Sequence, residues 1–241
     1  MVSAVSAGSA FACAALAGLA DEVIDDFAGR AARNRKNVYP ENLLKGEPAF
    51  PHAAMYRQAI LDCIDAETLA RLHAGPEIRV LLAYPPSRRA VIPSLLAGLL
   101  AYKLDRKLKG RVHAQWPLRL GFEAVMVRVS DCQDPEELAD LILQSSCTPP
   151  VTPLLRRGGR PVVDGGIIDS VPVQLVADAK TQLVLLTRRY PRHMLPKIEG
   201  RRYVQPSQDL EISVWDYANP GGLRAAFELG SRDGRAFLAS A

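Results

Sequence analysis

The chain lacks any stretch able to cross a bilayer. Its longest apolar run, Ala90 to Tyr102, is interrupted by Pro93 and falls short of the ~20 residues a spanning helix needs. No Lys or Arg precedes Arg30, so the apolar N-terminal stretch lacks the positive charge that opens a secretory signal. Cys13, Cys63, Cys132 and Cys147 are scattered, with no C-x-x-C pair and no zinc-type spacing. That argues against a disulfide framework and reads as free buried thiols in a reducing compartment. The chain has 4 histidines, His52, His73, His113 and His193. Each lies in ordinary loop or helix surroundings and reads as incidental. There is no internal repeat and no low-complexity segment. A net charge of +4 is too small to argue for a nucleic-acid partner.

What is present is a chain of 241 residues, 48% of them hydrophobic, which predicts a single domain over 1–241 with a good core. It is organised around Met1 to Leu19, MVSAVSAGSAFACAALAGL. Val2 to Val5 reads as the end of a short strand. Ser6-Ala7-Gly8 reads as a sharp turn, and Ser9 to Leu19 as a helix. A serine at a strand-to-helix turn is the nucleophile elbow. The turn would expose the Ser6 hydroxyl, and the Ala7 amide at the helix start could donate to an oxyanion. Small residues suit so tight a turn, and Ala4, Ala7, Gly8 and Ala10 supply them. The usual pattern is G-x-S-x-G, and Ala4 stands at its first glycine. A signal peptide or an ordinary alanine-rich buried helix would explain this stretch alone as well.

Further on, strand and helix signals alternate. Apolar spacing predicts helices over 21–30, 53–72, 91–108 and 223–238. Residues 39–51 read as loop, and 21–75 as a possible helical cap over the elbow. The basic run Arg30 to Lys36 reads as a solvated face. Glu77 to Tyr84 and Gln182 to Thr187 are buried-strand candidates, and Phe122 to Val129 alternates like a strand. Asp134-Pro135-Glu136-Glu137 is a strong helix start. The helix over 91–108 ends in a basic cluster, Lys103 to Lys109. Such a helix either packs on a sheet with its cations on the dipole, which is the simpler reading, or lies on a membrane surface. The alternation predicts an α/β fold with a largely parallel sheet.

The second chemical motif is Arg160 to Pro172, RPVVDGGIIDSVP. Asp164 follows a short strand and precedes Gly165 and Gly166. The glycines let a backbone or a partner side chain come close to the carboxylate, although a plain Asp-Gly turn would also carry them. Apolar neighbours would desolvate Asp164 in part, and a serine hydroxyl would serve as its partner.

Ser6 in S-A-G-S-A and Asp164 in V-D-G-G-I-I-D-S-V-P together resemble the patatin-like phospholipase family, bacterial type. Ser145-Ser146-Cys147-Thr148-Pro149 is similar to that family's serine-rich segment. The resemblance implies a three-layer α/β sandwich with a mainly parallel central sheet. It also implies lipid acyl hydrolysis by a Ser–Asp dyad, with Ser6 as nucleophile, Asp164 as general base and no metal or cofactor. A lipid or small ester would be the substrate. The expected location is cytoplasmic, with peripheral membrane contact possible. The family's glycine-rich oxyanion loop, which comes before the elbow, has no counterpart before Met1. That predicts an impaired oxyanion hole, an unpaired flank on the first strand and self-association. The alternative is a catalytically inactive lipid- or partner-binding module on the same fold. A Ser…Asp…His triad could draw only on His193.

Overall fold

A computed structural model describes residues 1–110, 112–113 and 115–240. The first strand, β1 (Val2–Val5), runs into α1 (Ala7–Ala17), which Gly18 ends in the left-handed region at φ 74°. Helix α2 (Ala20–Arg33) carries Asp21 and Glu22 in its first turn and Arg30 and Arg33 in its last, the arrangement that complements its dipole. A 3₁₀ turn over Pro40–Lys45 interrupts the expected loop. The single helix expected over 53–72 is two, α3 (His52–Cys63) and α4 (Ala66–Ala74). Asp65 breaks it: its carboxylate accepts the Thr68 amide at 2.8 Å and starts a new helix as an N-cap.

Strand β2 (Ile78–Tyr84) leads to α5 (Val91–Lys109), the short α6 (Trp116–Arg119) and β3 (Glu123–Arg128). Helix α7 (Pro135–Ser145) begins as its sequence dictates, with Asp134 accepting the Glu137 amide at 2.8 Å. Three two-residue strands follow: β4 (Arg156–Arg157), β5 (Arg160–Pro161) and β6 (Val163–Asp164). The chain then forms β7 (Gln182–Leu185), β8 (Arg201–Val204) and the closing helix α8 (Pro220–Ala239).

The fold is α/β, but its main sheet is mixed, not mainly parallel. Only β1 and β2 run parallel, Val2 to Val5 lying opposite Ile78 to Leu81. Both β3 and β6 are antiparallel to β2. Alternating helices and strands suggested parallel crossovers, yet the segments before β3 and β6 return the chain in the opposite direction. Among the described residues β1 has β2 as its one ladder partner. Strands β7 and β8 form a separate parallel pair. The strand expected as buried over 182–187 is therefore half-buried: Val184 and Leu186 turn inward, while Leu183 and Leu185 are exposed.

Strand β2 separates two cores, as its period of two requires. Ile78, Val80 and Leu82 face Cys13 of α1, Leu69 and Leu72 of α4, and Leu138, Leu141 and Ile142 of α7. Each fully buried Leu or Ile there contributes about 1.5–3 kcal/mol. Ala83 faces the other way, onto Val91 and Leu95 of α5, Phe122 and Ile167. Helices thus cover both faces. Helices α2 and α3, within the segment read as a cap, pack on each other, on α1, α7 and α8. Three cysteines are buried thiols and Cys63 is only half-buried. Burial pushes Cys13 up to about 12 and Cys132 up to about 11. Among the described residues no helix is long and apolar enough to cross a membrane.

Candidate active site

Strand β1 ends at Val5 opposite Leu81, and β6 takes up the same edge of β2 with Asp164 opposite Leu82. The two short strands thus lie end to end along β2. That register brings the residue after Val5 against the carboxylate at the end of β6, although the two are far apart in sequence.

Ser6 sits at φ 53°, ψ −135°, and it is the one non-glycine residue at positive φ among those described. Holding it there costs about 1–3 kcal/mol, so the surroundings must fix it. Its carbonyl accepts the Ser9 amide at 2.9 Å. Its own amide donates to Ser145 Oγ at 2.8 Å, and the Ser145 hydroxyl donates to the Leu81 carbonyl at 2.7 Å. Ser145, fully buried at the end of α7, therefore ties the turn to the central strand. The sequence placed Ser145 only in a serine-rich segment. Its role depends on a contact spanning 139 positions, which no local pattern carries.

The Ser6 hydroxyl lies near enough to the Asp164 carboxyl to favour its ionised form. Asp164 Oδ1 also accepts the Gly166 amide at 2.7 Å, and the Asp164 amide donates to the Cys147 carbonyl at 2.7 Å. Burial pushes the Asp164 carboxyl up to about 6, against the opposing pull of the Gly166 amide and the Ser6 hydroxyl. A carboxylate tuned toward neutrality suits proton transfer near physiological pH.

The glycines divide sharply. A Cβ on Gly165 would lie 2.4 Å from the Leu81 carbonyl oxygen, and one on Gly166 would lie 2.9 Å from Asp164 Oδ1. Both are needed for the turn as built. A Cβ on Gly8 would meet nothing within 4 Å. Tight packing therefore does not explain Gly8. Gly8→Ala should leave the thermal midpoint unchanged or raise it slightly, since alanine favours a helix by about 1 kcal/mol over glycine. A clear drop in circular-dichroism melts would show that Gly8 is sterically required. Ala4 is buried beneath the turn, and Ala7 and Gly8 open α1. Amides in a helix's first turn have no acceptor within it.

Two histidines are not in ordinary surroundings. His52 is buried, with Nδ1 2.8 Å from the Tyr217 hydroxyl and its ring packed on Tyr56. Burial lowers its pKa to about 4. His113 lies between Asp169 (2.8 Å) and the Tyr203 hydroxyl (2.9 Å). Asp169 also accepts the Val171 amide at 2.9 Å, closing the turn before Pro172. His193 sits on a separate 3₁₀ turn, Arg192–Met194. Among the described residues the Asp164 carboxylate accepts the Gly166 amide and feels the Ser6 hydroxyl, and no histidine acts on it.

The sequence model of the patatin-like phospholipases matches residues 1–177, a span holding both Ser6 and Asp164. The chain belongs to the patatin-like phospholipase family. No curated protein and no solved structure matches it. Membership makes it a lipid hydrolase in the general sense and makes lipid its class of substrate. The patatin-like match ends just after the 3₁₀ turn Val173–Val176. It therefore covers the whole four-stranded sheet and leaves β7, β8 and α8 outside.

Proposed function

We infer that this patatin-like protein is a serine ester hydrolase of phospholipase A type, working through Ser6 and Asp164 by way of an acyl-enzyme. The observation that carries the reading is a serine on a strained turn set beside a half-buried carboxylate that is pushed up to about 6. Asp164, ionised, takes the proton from Ser6 Oγ as that oxygen attacks the ester carbonyl carbon. The carbonyl oxygen becomes an oxyanion, and the Ala7 amide at the start of α1 donates to it. When the tetrahedral intermediate collapses, the C–O bond breaks and Asp164 returns its proton to the departing alcohol. Asp164 next deprotonates a water that attacks the acyl-Ser6 carbonyl. The carboxylic acid leaves and Ser6 regains its proton.

A fluorophosphonate probe tests the nucleophile. Wild-type protein should be labelled at one site, and Ser6→Ala should abolish labelling. Ser9 is fully buried and offers the probe no competing hydroxyl. Labelling that persists in Ser6→Ala would place the nucleophile elsewhere and defeat the dyad.

A further inference from the structure

Helix α5 has two different faces. Val91, Leu95, Gly98 and Ala101 are buried, and Gly98 comes so close to the turn after Asp164 that a Cβ there would lie 2.6 Å from Ile167 Cδ1. On the opposite side, Ile92, Leu96, Leu100, Leu104 and Leu108 recur at every fourth position and are 38–64% exposed. An apolar stripe on the outer side of a packed helix is unusual, because solvent should select polar residues there. On the adjoining α6, Leu118 is likewise exposed.

The charges around this stripe are of one sign. Arg88 and Arg89 are exposed just before the helix, and Lys103, Lys107 and Lys109 are exposed along its last turns. The one acid on α5, Asp105, is fully buried and accepts the Gln115 and Trp116 amides. Lysines flanking an apolar stripe can lay their stems along it and lift their ammonium groups to the headgroup level. A second copy of the chain would bring like charges together at such a face. An anionic bilayer matches both the apolar stripe and the cations at its two ends.

We propose that α5 is an interfacial docking helix that seats the protein on anionic lipid surfaces through Ile92, Leu96, Leu100, Leu104 and Leu108, with Arg88, Arg89, Lys103, Lys107 and Lys109 on the headgroups. This deepens the hydrolase reading by naming the surface on which it meets its substrate, and it rests on that reading only for the purpose of docking. The turn carrying Asp164 packs on the inner face of the same helix, so docking brings the dyad within one helix layer of the lipid.

The test is co-sedimentation with vesicles of phosphatidylcholine alone and of equimolar phosphatidylcholine and phosphatidylglycerol. Wild-type protein should bind the anionic vesicles and bind the neutral ones far more weakly. Leu96→Glu with Leu100→Glu should lower anionic-vesicle binding by about tenfold or more. Lys103→Glu with Lys107→Glu should lower it by roughly 25-fold, at about fivefold per lysine, and flatten its salt dependence. Both pairs lie on the surface, so circular dichroism and hydrolysis of a soluble short-chain ester should match wild type. Ser6→Ala should bind vesicles as wild type does. Vesicle binding without any ester hydrolysis would uphold the docking face and defeat the hydrolase reading. Equal binding to both vesicle types, or none, overturns the docking proposal. A dimer that the leucine pair dissolves, without vesicle binding, overturns it in favour of a second copy.

Discussion

Asp164→Asn is expected to lose nearly all hydrolysis of a short-chain ester while becoming more stable than wild type at neutral pH. Asparagine keeps the shape and can still accept the Gly166 amide, but it cannot take a proton from Ser6. Loss of a positioned base costs about 10²–10⁴ in rate. The stability change has the opposite sign. Burial raises Asp164 from its ordinary 3.8 to about 6, so the folded state holds this proton more tightly than the unfolded one. The stability Asp164 contributes is fully present below 3.8 and is lost as pH rises through about 6. Asparagine escapes that loss. The gain in thermal midpoint should appear at neutral pH and vanish in acid, and wild-type activity should rise with pH through about 6. His193→Ala should change little. Asp169→Asn should cost stability, through Val171 and His113, far more than chemistry. If His193→Ala proves more damaging than Asp164→Asn, the site is a triad and the dyad is wrong.

Gly165→Ala should largely prevent folding. The added methyl would sit 2.4 Å from the Leu81 carbonyl oxygen and 2.7 Å from its carbon. That carbonyl belongs to the central strand, which β1 and β3 hold from both sides, so it cannot yield. It also accepts the Ser145 hydroxyl, so displacing it would release the Ser6 turn as well. Overpacking of this kind costs about 1–3 kcal/mol and more where backbone is the obstacle, a large part of a domain's ~5–15 kcal/mol. Soluble Gly165→Ala protein with a wild-type melt and full labelling of Ser6 would show that the β2–β6 contact is loose enough to admit a methyl group.

The parts of the site that could be read from the chain are those whose reason is local. A serine between a short strand and a small-residue helix, and an aspartate before two glycines, announce themselves within a few positions. Capping at Asp134 is local in the same way. Ser145 could not be assigned, because its partners, the Ser6 turn and Leu81 of β2, are both distant in sequence. Strand direction was also hidden: nothing within Glu123 to Arg128 records that it runs antiparallel to β2. The break at Ile64 was present in Asp65 and Thr68 but was masked by continuous apolar spacing around it. His113 looked ordinary because Asp169 and Tyr203 are brought to it only by the folded chain.

The end-to-end placement of β1 and β6 along β2 also has a kinetic consequence. Val2 pairs with Ile78, and the Ser6 amide reaches Ser145 across 139 positions. Contacts of such long sequence separation carry the loop-closure entropy of everything between them and form slowly. The Ser6 turn, strained on its own, has no support until β2, α7 and the Asp164 turn have all arrived. A chain still being synthesised therefore holds a serine with no partner base, and esterase competence should emerge late in refolding, after most helical signal has returned.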